Sequence, residues 1–219
     1  MVDVYKMDVK LDEVLNRIRY GKLKKGIDTN IMPLYLTHET TSERSHLYVQ
    51  TPKVQIKTNV IENDVTQNFM DVISHDENFT DEIQRIENRI LCDLKSNKET
   101  FFANKGIDDI FLEAGQTSNV TKEGVCKLRI MKDLKVWNHQ KDVQLVNTLM
   151  VGKIFTGIIQ VVGVWFTTSR WGVTLKLVQA RHTKEKIESR VNRYMFPDEN
   201  ESDVDEDDDQ TIMSPPPCA

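Results

Sequence analysis

The stretch KIFTGIIQVVGVWFTTSRWGVTLKLVQAR, residues 153–181, decides the fold of this chain. It contains two apolar runs rich in Val and Ile, at residues 154–166 and 173–180, and a polar connection at residues 167–170 joins them. Runs of β-branched residues between turn residues are typical of strands, and the first run lacks the polar stripe of an amphipathic helix. The stretch therefore predicts a β-hairpin.

Glycine and aromatic residues give this hairpin two further features. Gly157 and Gly163 lie on the same face of its first strand, where glycine marks a bulge, a barrel corner or a close backbone contact. Trp165, Phe166 and Trp171 lie around the tip. A bent hairpin with aromatic residues at one end fits both a core hairpin and a platform for nucleic acid.

The remaining segments predict a β-rich fold with one main helix. Further strands are predicted at residues 31–37, 46–59, 68–73, 125–131, 134–137 and 143–146, and residues 192–196 close the folded body. An apolar stripe predicts an amphipathic helix over residues 81–95 with Thr80 as its N-cap, and shorter helices are predicted at residues 11–18 and 107–114. This order predicts a mainly β (α+β) fold: an OB-like β-barrel, with its main helix between the third and fourth strands, or a β-sandwich with one packed helix.

The charges divide the 219-residue chain into a basic body and an acidic tail. Residues 197–219 hold nine acidic residues and no Lys or Arg, which leaves 25 acidic against 29 basic residues in the remainder. A segment as acidic as this cannot bury a core, so it is predicted to be disordered. We expect an N-terminal helix and basic loop at residues 1–26, the OB-like barrel at residues 27–196 and the acidic tail at residues 197–219.

Motifs for catalysis or cofactor binding do not occur in the sequence. Three cysteines without CxxC spacing argue against a disulfide framework, and the five histidines lack zinc-site spacing. Phosphate-loop, dinucleotide-binding and nucleophile-elbow motifs are missing too. We therefore expect a protein that is not an enzyme and that needs no cofactor or metal. Since neither a signal peptide nor a bilayer-spanning apolar run is visible, we expect an intracellular protein without membrane contact.

Aromatic and cationic residues offer a nucleic-acid interface. Single strands bind by stacking bases on aromatic rings in a basic groove, at about 1–3 kcal/mol per base. The candidate rings are Tyr35, Tyr48, Trp165, Phe166 and Trp171. The candidate phosphate contacts are Lys53, Lys57, Lys127, Arg129, Lys153, Arg170, Lys176 and Arg181.

The three rings at the hairpin tip are not equal candidates. Trp165 and Phe166 are consecutive on a strand, so they face opposite sides and at least one of them is expected in the core. Trp171, next to Arg170 in a polar turn, is the best candidate for an exposed stacking ring.

Two segments resemble a known family. LYVQTPKVQI (residues 47–56) resembles the QTP strand of an uncharacterised protein family of nucleocytoplasmic large DNA viruses, and GIIQVVGVWFTTSRWGVTLKLVQA (residues 157–180) resembles its GIWF-type second signature. Residues 83–102 are similar to the helix and aromatics between them. This chain departs from the family pattern at two positions: Val164 replaces the usual Ile, and Leu175 replaces a residue that is often aromatic in the family. The family's layout is similar to that of viral and phage single-stranded DNA-binding proteins with an OB-like body and an acidic C-terminal tail.

We therefore expect a non-enzymatic single-stranded DNA-binding protein of a large DNA virus. It would support replication, recombination or repair in the host cytoplasm or nucleus, and its tail would recruit replication proteins. Two alternatives stay open at this point. One is a structural or virion-associated protein-interaction module, and the other is a replication or transcription accessory factor that acts through the acidic tail.

Overall fold

The computed structural model describes residues 4–6, 11–37, 43–58, 60–62, 65–66, 68–102, 107–131 and 133–183. Its strands are β1 (Val4–Lys6), β2 (Ile18–Tyr20), β3 (Asn30–Thr37), β4 (Arg44–Ser45), β5 (Leu47–Ile56), β6 (Ile61–Glu62), β7 (Val65–Thr66), β8 (Phe69–Ser74), β9 (Gln116–Thr117), β10 (Val125–Arg129), β11 (Lys135–Trp137), β12 (Val143–Gln144), β13 (Ile154–Phe166) and β14 (Trp171–His182). Its α-helices are α1 (Leu11–Leu15), α2 (Glu77–Ser96), α3 (Lys98–Phe102) and α4 (Asp109–Ala114), and Val146–Thr148 form a 3₁₀ turn.

The described residues belong to one compact unit, Met1–Lys184, and Glu185–Ala219 lie outside the described residues. Residues 192–196, expected to close the body, and the predicted disordered tail both fall there. None of the helices that the structure describes has the length and apolar character needed to cross a bilayer.

Five strands close a barrel in the order β5–β8–β10–β14–β13, with β13 pairing back to β5. Neighbours in the ring are antiparallel except β10 and β14, which are parallel. Counted along the chain, the ring reads first, second, third, fifth and fourth strand, as in a five-stranded Greek-key barrel of the OB type. The prediction of a mainly β fold with an OB-like barrel is confirmed, and the sandwich alternative is wrong because the sheet closes on itself.

The hairpin β13–β14 is the centre of this barrel, because β13 pairs with β14, β5 and β3. The predicted bend is confirmed: the pairing register shifts between Ile158 and Ile159 and again between Val161 and Gly163. A Cβ atom at Gly163 would overlap the carbonyl oxygen of Met32, so β3 can approach β13 only because a glycine stands there.

Helix α2 differs from its predicted bounds and position. It begins at Glu77, because the side chain of Asp76 accepts a hydrogen bond from the backbone N–H of Asn78 at 3.1 Å and caps the helix. The buried stripe consists of Phe79, Ile83, Ile86, Ile90 and Leu94. Along the chain, the helix comes between the second and third ring strands, β8 and β10, and not between the third and fourth. The prediction counted β3 as a ring strand, but β3 pairs with β13 outside the ring.

The N-terminal helix is also shorter than predicted. It ends at Leu15 because Ile18 already belongs to β2, where it pairs with Leu36 of β3. The side chains of Leu11 and Val14 are buried in the same core as the barrel residues. The helix predicted at residues 107–114 begins at Asp109, behind a capping Asp108.

Candidate nucleic-acid interface

A groove of about 680 Å³ lies on the outer face of β8, β10 and β14, next to the end of β13. It is lined by Thr29, Ile31, Phe69, Asp71, Thr117, Ser118, Asn119, Thr121, Val125, Lys127, Arg129, Trp165, Thr167, Val173, Thr174 and Leu175. Strands β8 and β10 are the second and third strands of the ring. In OB-type barrels this is the face that binds oligonucleotides.

Phe69 presents an exposed aromatic ring in this groove. The neighbouring Met70 and Val72 are buried, so the alternation along β8 turns Phe69 outward, where 51% of its surface is exposed. Arg129 is its partner across the strand pair, and the Nζ atom of Lys127 lies 5.9 Å from the ring centroid. An exposed ring beside two cations is the arrangement in which bases stack and phosphates are neutralised.

The sequence interpretation missed Phe69. Its strand had weak boundaries, and a phenylalanine is more often a core residue than a binding residue. The alternation of residues 69–73, FMDVI, could have shown its exposure. Phe69 lies on the same face of the strand as the polar Asp71 and on the opposite face from the buried Met70 and Val72.

Trp165 forms the opposite side of the groove. It points outward from β13, is half-buried, and lines the groove together with Ile31, its partner on β3. A Cβ atom at Gly172 would lie 2.7 and 2.9 Å from two atoms of the indole ring. The glycine therefore lets the ring lie directly on β14.

Residues 117–119 form the polar wall of the groove. Helix α2 holds this wall in place through one carboxylate, that of Glu87. The side chain of Glu87 is only 2% exposed and accepts hydrogen bonds from the Ser118 hydroxyl at 2.6 Å, the Asn119 backbone N–H at 2.8 Å and the Asn119 side-chain amide at 2.9 Å. The same amide also donates to the carbonyl oxygen of Val173 on β14 at 2.8 Å. A buried carboxylate with three donors is well satisfied, so the wall has one defined position.

Cys126 lies beneath this face and does not offer a reactive group to it. Its side chain points into the barrel, and burial, with smaller contributions from the negative charges of Glu87 and Asp71, raises the pKa of its thiol. A thiol kept protonated in this way is a poor nucleophile.

The structure places two predicted cations, Lys127 and Arg129, in the groove lining and a third, Lys176, beside them. Lys127 and Arg129 point outward from β10, and Lys176 of β14 is in register with Arg129. Two acidic residues lie among them: Asp71 is the cross-strand partner of Lys127, and a carboxylate oxygen of Asp133 lies 3.8 Å from the Lys176 Nζ atom. The cluster is thus cationic, but the two acidic neighbours partly cancel its charge and weaken its attraction for phosphate.

Other predicted residues lie outside the groove lining. Lys53, Lys57 and Lys153 lie at the end of β5 and the start of β13, where the Ile56 backbone N–H donates to the Lys153 carbonyl oxygen at 3.0 Å. Arg170 is exposed in the hairpin turn, and Arg181 lies near the far end of β14.

Neither of the two predicted tyrosines lines the groove. Tyr35 of β3 lies under the guanidinium carbon of Arg44, which is 4.6 Å from the centroid of its ring. Tyr48 of β5 packs edge-on against His46, with ring centroids 6.0 Å apart.

Trp171 and Phe166 are core residues: the prediction that Trp171 is an exposed ring is wrong, and of the consecutive pair Trp165 and Phe166 it is Phe166 that lies in the core. Trp171 is 0% exposed, and its indole N–H donates to the carbonyl oxygen of Leu112 in α4 at 2.8 Å. Phe166 is buried beside it and packs edge-on against Phe102, with ring centroids 5.2 Å apart. Helices α3 and α4 cover the hairpin tip, which the polar sequence of the turn does not reveal. Of the three rings at the tip, only Trp165 reaches the groove.

The sequence profile of DUF5871, a family of unknown function, matches residues 54–198, which take in β8, β10, β13 and β14. Among curated proteins, none matches the chain in sequence.

Two solved structures are similar to the chain at a low level. One is the single-stranded DNA-binding protein from bacteriophage Enc34, with 8% identity and a TM-score of 0.37, covering 79% of this chain and 98% of that chain. The other is its C-terminal truncation, with 9% identity and a TM-score of 0.39, covering 76% of this chain and 95% of that chain. Similarity as low as this transfers no function from one protein to another.

Proposed function

We propose that this chain, which belongs to the DUF5871 family, binds single-stranded DNA in the groove on β8, β10 and β14. The observation that carries the proposal is Phe69: a large aromatic ring, half exposed, between Arg129 and Lys127 on the second and third strands of an OB-type barrel. Its position in a groove beside two cations, and not its exposure alone, makes this ring available to a flat aromatic ligand. A nucleobase is a flat aromatic ligand that comes with the phosphates that the two cations attract.

Each part of the groove has a role in this proposal. Phe69 stacks a base, and Trp165, fixed against Gly172, forms the opposite aromatic side. Lys127, Arg129 and Lys176 neutralise phosphates, while the hydrogen bonds to Glu87 hold residues 117–119 in one position at the side of the groove. Stacking and charge neutralisation do not select a base sequence, so we propose sequence-tolerant binding. The proposed role is binding alone, without a catalytic step.

The biological role that we propose is support of replication, recombination or repair in a large DNA virus, in the host cytoplasm or nucleus. It rests on the resemblance of residues 47–56 and 157–180 to the viral family described above. The acidic tail, residues 197–219, would recruit a basic surface on a replication protein. Affinity capture with a candidate viral polymerase or helicase, using chains with and without this tail, tests the recruitment; equal capture by both chains would contradict it.

The binding proposal is tested with fluorescently labelled oligothymidylate, whose anisotropy reports binding at low and high salt. We expect affinity to fall steeply with salt, since phosphate contacts release counterions. Phe69→Ala removes a stacking ring worth about 1–3 kcal/mol and raises Kd about 5- to 150-fold.

A matched control for this variant is Ile110→Ala on α4. This side chain is 74% exposed and lies outside the groove, so its truncation leaves Kd unchanged. No binding of oligothymidylate to the unaltered chain at low salt would overturn the proposal, and so would equal affinities of the Phe69→Ala and Ile110→Ala variants.

A second candidate function is a protein-interaction module, and one observation favours it. The connection from β12 to the start of β13 exposes several apolar side chains, namely Val143, Leu145, Met150, Val151 and Ile154. Clusters of this kind mark surfaces that other proteins cover. The oligothymidylate titration separates the two candidates, because a chain that acts only through this cluster binds no DNA.

A further inference from the structure

A second cavity opens on the outer face of the barrel, near the far end of β14. It has a volume of about 330 Å³ and is lined by side chains that include Gln50, Trp137, Lys141, Gln179 and Arg181. We call it the far pocket. It shares no lining residue with the groove, so the two sites are separate concavities on one molecule.

Trp137 gives the far pocket an aromatic side. It lies on β11 in register with Arg181 of β14, and it is half-buried. Its indole N–H is buried and has no acceptor among the residues that the structure describes. That N–H is shielded from solvent, so the part of Trp137 that the far pocket offers to a ligand is its partly exposed ring.

Lys141 is held over the far pocket in an unusual backbone conformation. Its φ angle of 73° lies in the left-handed region, which a residue with a side chain rarely adopts. Asn138 enforces the turn: its side-chain oxygen accepts the backbone N–H groups of Gln140 at 2.8 Å and Asp142 at 2.9 Å, and its amide donates to the Asp142 carboxylate at 3.0 Å. Strained residues kept in place by such networks are concentrated at binding sites.

A line of outward cations connects the groove to the far pocket. Strands β10 and β11 follow one another along β14, and both pair with it in parallel. Arg129 is in register with Lys176, and further along Lys135 is in register with Gln179 and Trp137 with Arg181. Lys176 and Arg181 are five residues apart on one strand, a distance of roughly 16 Å. An extended polynucleotide that leaves the groove along β14 would therefore reach the far pocket.

We infer that the far pocket is a second nucleotide-binding site for the same DNA strand that occupies the groove. Trp137 contacts a base through its ring, while Lys141 and Arg181 neutralise phosphates. The inference rests on the proposed function and deepens it, because it lengthens the contact from one groove to a path across the barrel. Footprints on single OB folds span about 4–16 nucleotides, which leaves room for both sites.

The test uses oligothymidylates of two lengths, about 4 and about 14 nucleotides, within the known range of OB-fold footprints. Lys141→Gly removes the cation and places glycine at a φ angle that glycine tolerates, so the fold is retained. Arg181→Gln removes an exposed cation. We expect each variant to bind the long oligonucleotide about 5- to 10-fold more weakly and to lower the slope of log K against log salt by about 0.7. We expect the short oligonucleotide, which the groove alone accommodates, to bind as it does to the unaltered chain.

The matched control is Lys98→Gln on α3, a lysine whose Nζ atom lies 3.1 Å from the Asp109 carboxylate, outside both sites. It leaves both affinities and the salt slope unchanged. The inference is overturned if Lys141→Gly and Arg181→Gln leave the long oligonucleotide's affinity and salt slope unchanged, or if they weaken both lengths alike. Failure of the unaltered chain to bind either length would instead overturn the proposed function. Thermal unfolding of each variant shows whether a loss of affinity comes from unfolding.

Discussion

Gly172 determines how deeply the Trp165 ring lies on the barrel. Its own position leaves no room for a side chain, because an added Cβ would also lie 2.8 Å from the carbonyl oxygen of Thr117. We predict that Gly172→Ala destabilises the chain by about 1–3 kcal/mol, the range of overpacked sites, and weakens oligothymidylate binding because the indole ring is displaced.

The measurements for this variant are urea unfolding and the anisotropy titration. Gly21→Ala is the matched control, since its added Cβ would meet Pro33 at an ordinary 3.4 Å. If Gly172→Ala keeps both the stability and the affinity of the unaltered chain, the ring does not depend on this glycine.

At the scale of elements, the loop before β10 depends on helix α2 for its position. We predict that Glu87→Ala, which leaves three donors without their acceptor, destabilises the chain by about 2–4 kcal/mol and weakens oligothymidylate binding. Glu87→Gln retains most of both properties, because its oxygen still accepts from Asn119 and its amide donates to the Ser118 hydroxyl.

Unfolding and anisotropy measured on both variants separate a positioning role from a purely structural one. The rescue of DNA affinity by glutamine is the decisive outcome for Glu87. A Glu87→Ala chain with lowered stability but unchanged affinity would show that the wall takes no part in binding.

The elements also show which parts of this structure can be predicted from the sequence. The strand Ile154–Phe166 has its predicted ends, because its β-branched run, its glycines and its polar turn are all local signals. The burial of Trp171 cannot be predicted in this way, since its cover comes from Leu112 in α4, a distant part of the chain. Phe69 was missed although its strand was predicted, because only the closed ring shows that the outer face of this strand lines a groove.

For the whole molecule, two weakly acidic groups, the buried Cys126 thiol and the partly buried Tyr20 hydroxyl, predict how stability depends on pH. Burial raises the pKa of the Cys126 thiol, and burial, followed by the negative charge of Asp93 and the hydrogen bond to it, raises the pKa of the Tyr20 hydroxyl. The hydroxyl of Tyr20 donates to the Asp93 carboxylate at 2.9 Å. In both cases the unfolded chain loses its proton first as the pH rises, so this contribution to stability is complete at neutral pH and is lost in base.

We therefore predict that the free energy of unfolding falls above about pH 8.5, where an ordinary thiol ionises, and falls faster above about pH 10, where an ordinary tyrosine does. Each group adds a slope of up to about 1.4 kcal/mol per pH unit. Urea unfolding followed by tryptophan fluorescence between pH 7 and 10.5 measures it. Cys126→Ala removes the loss of unfolding free energy that begins near pH 8.5, and Tyr20→Phe removes the loss that begins near pH 10. A pH dependence in these variants identical to that of the unaltered chain would contradict the assignment.

Our proposal places single-stranded DNA on the outer face of the second and third barrel strands, β8 and β10. Ultraviolet cross-linking of oligothymidylate to the unaltered chain, with the attachment sites read by mass spectrometry, shows where the DNA lies. We expect cross-links at Phe69 and Trp165, and none within the exposed apolar connection at residues 143–151. Cross-links confined to that connection or to the helices, with Phe69 and Trp165 unmodified, would contradict it.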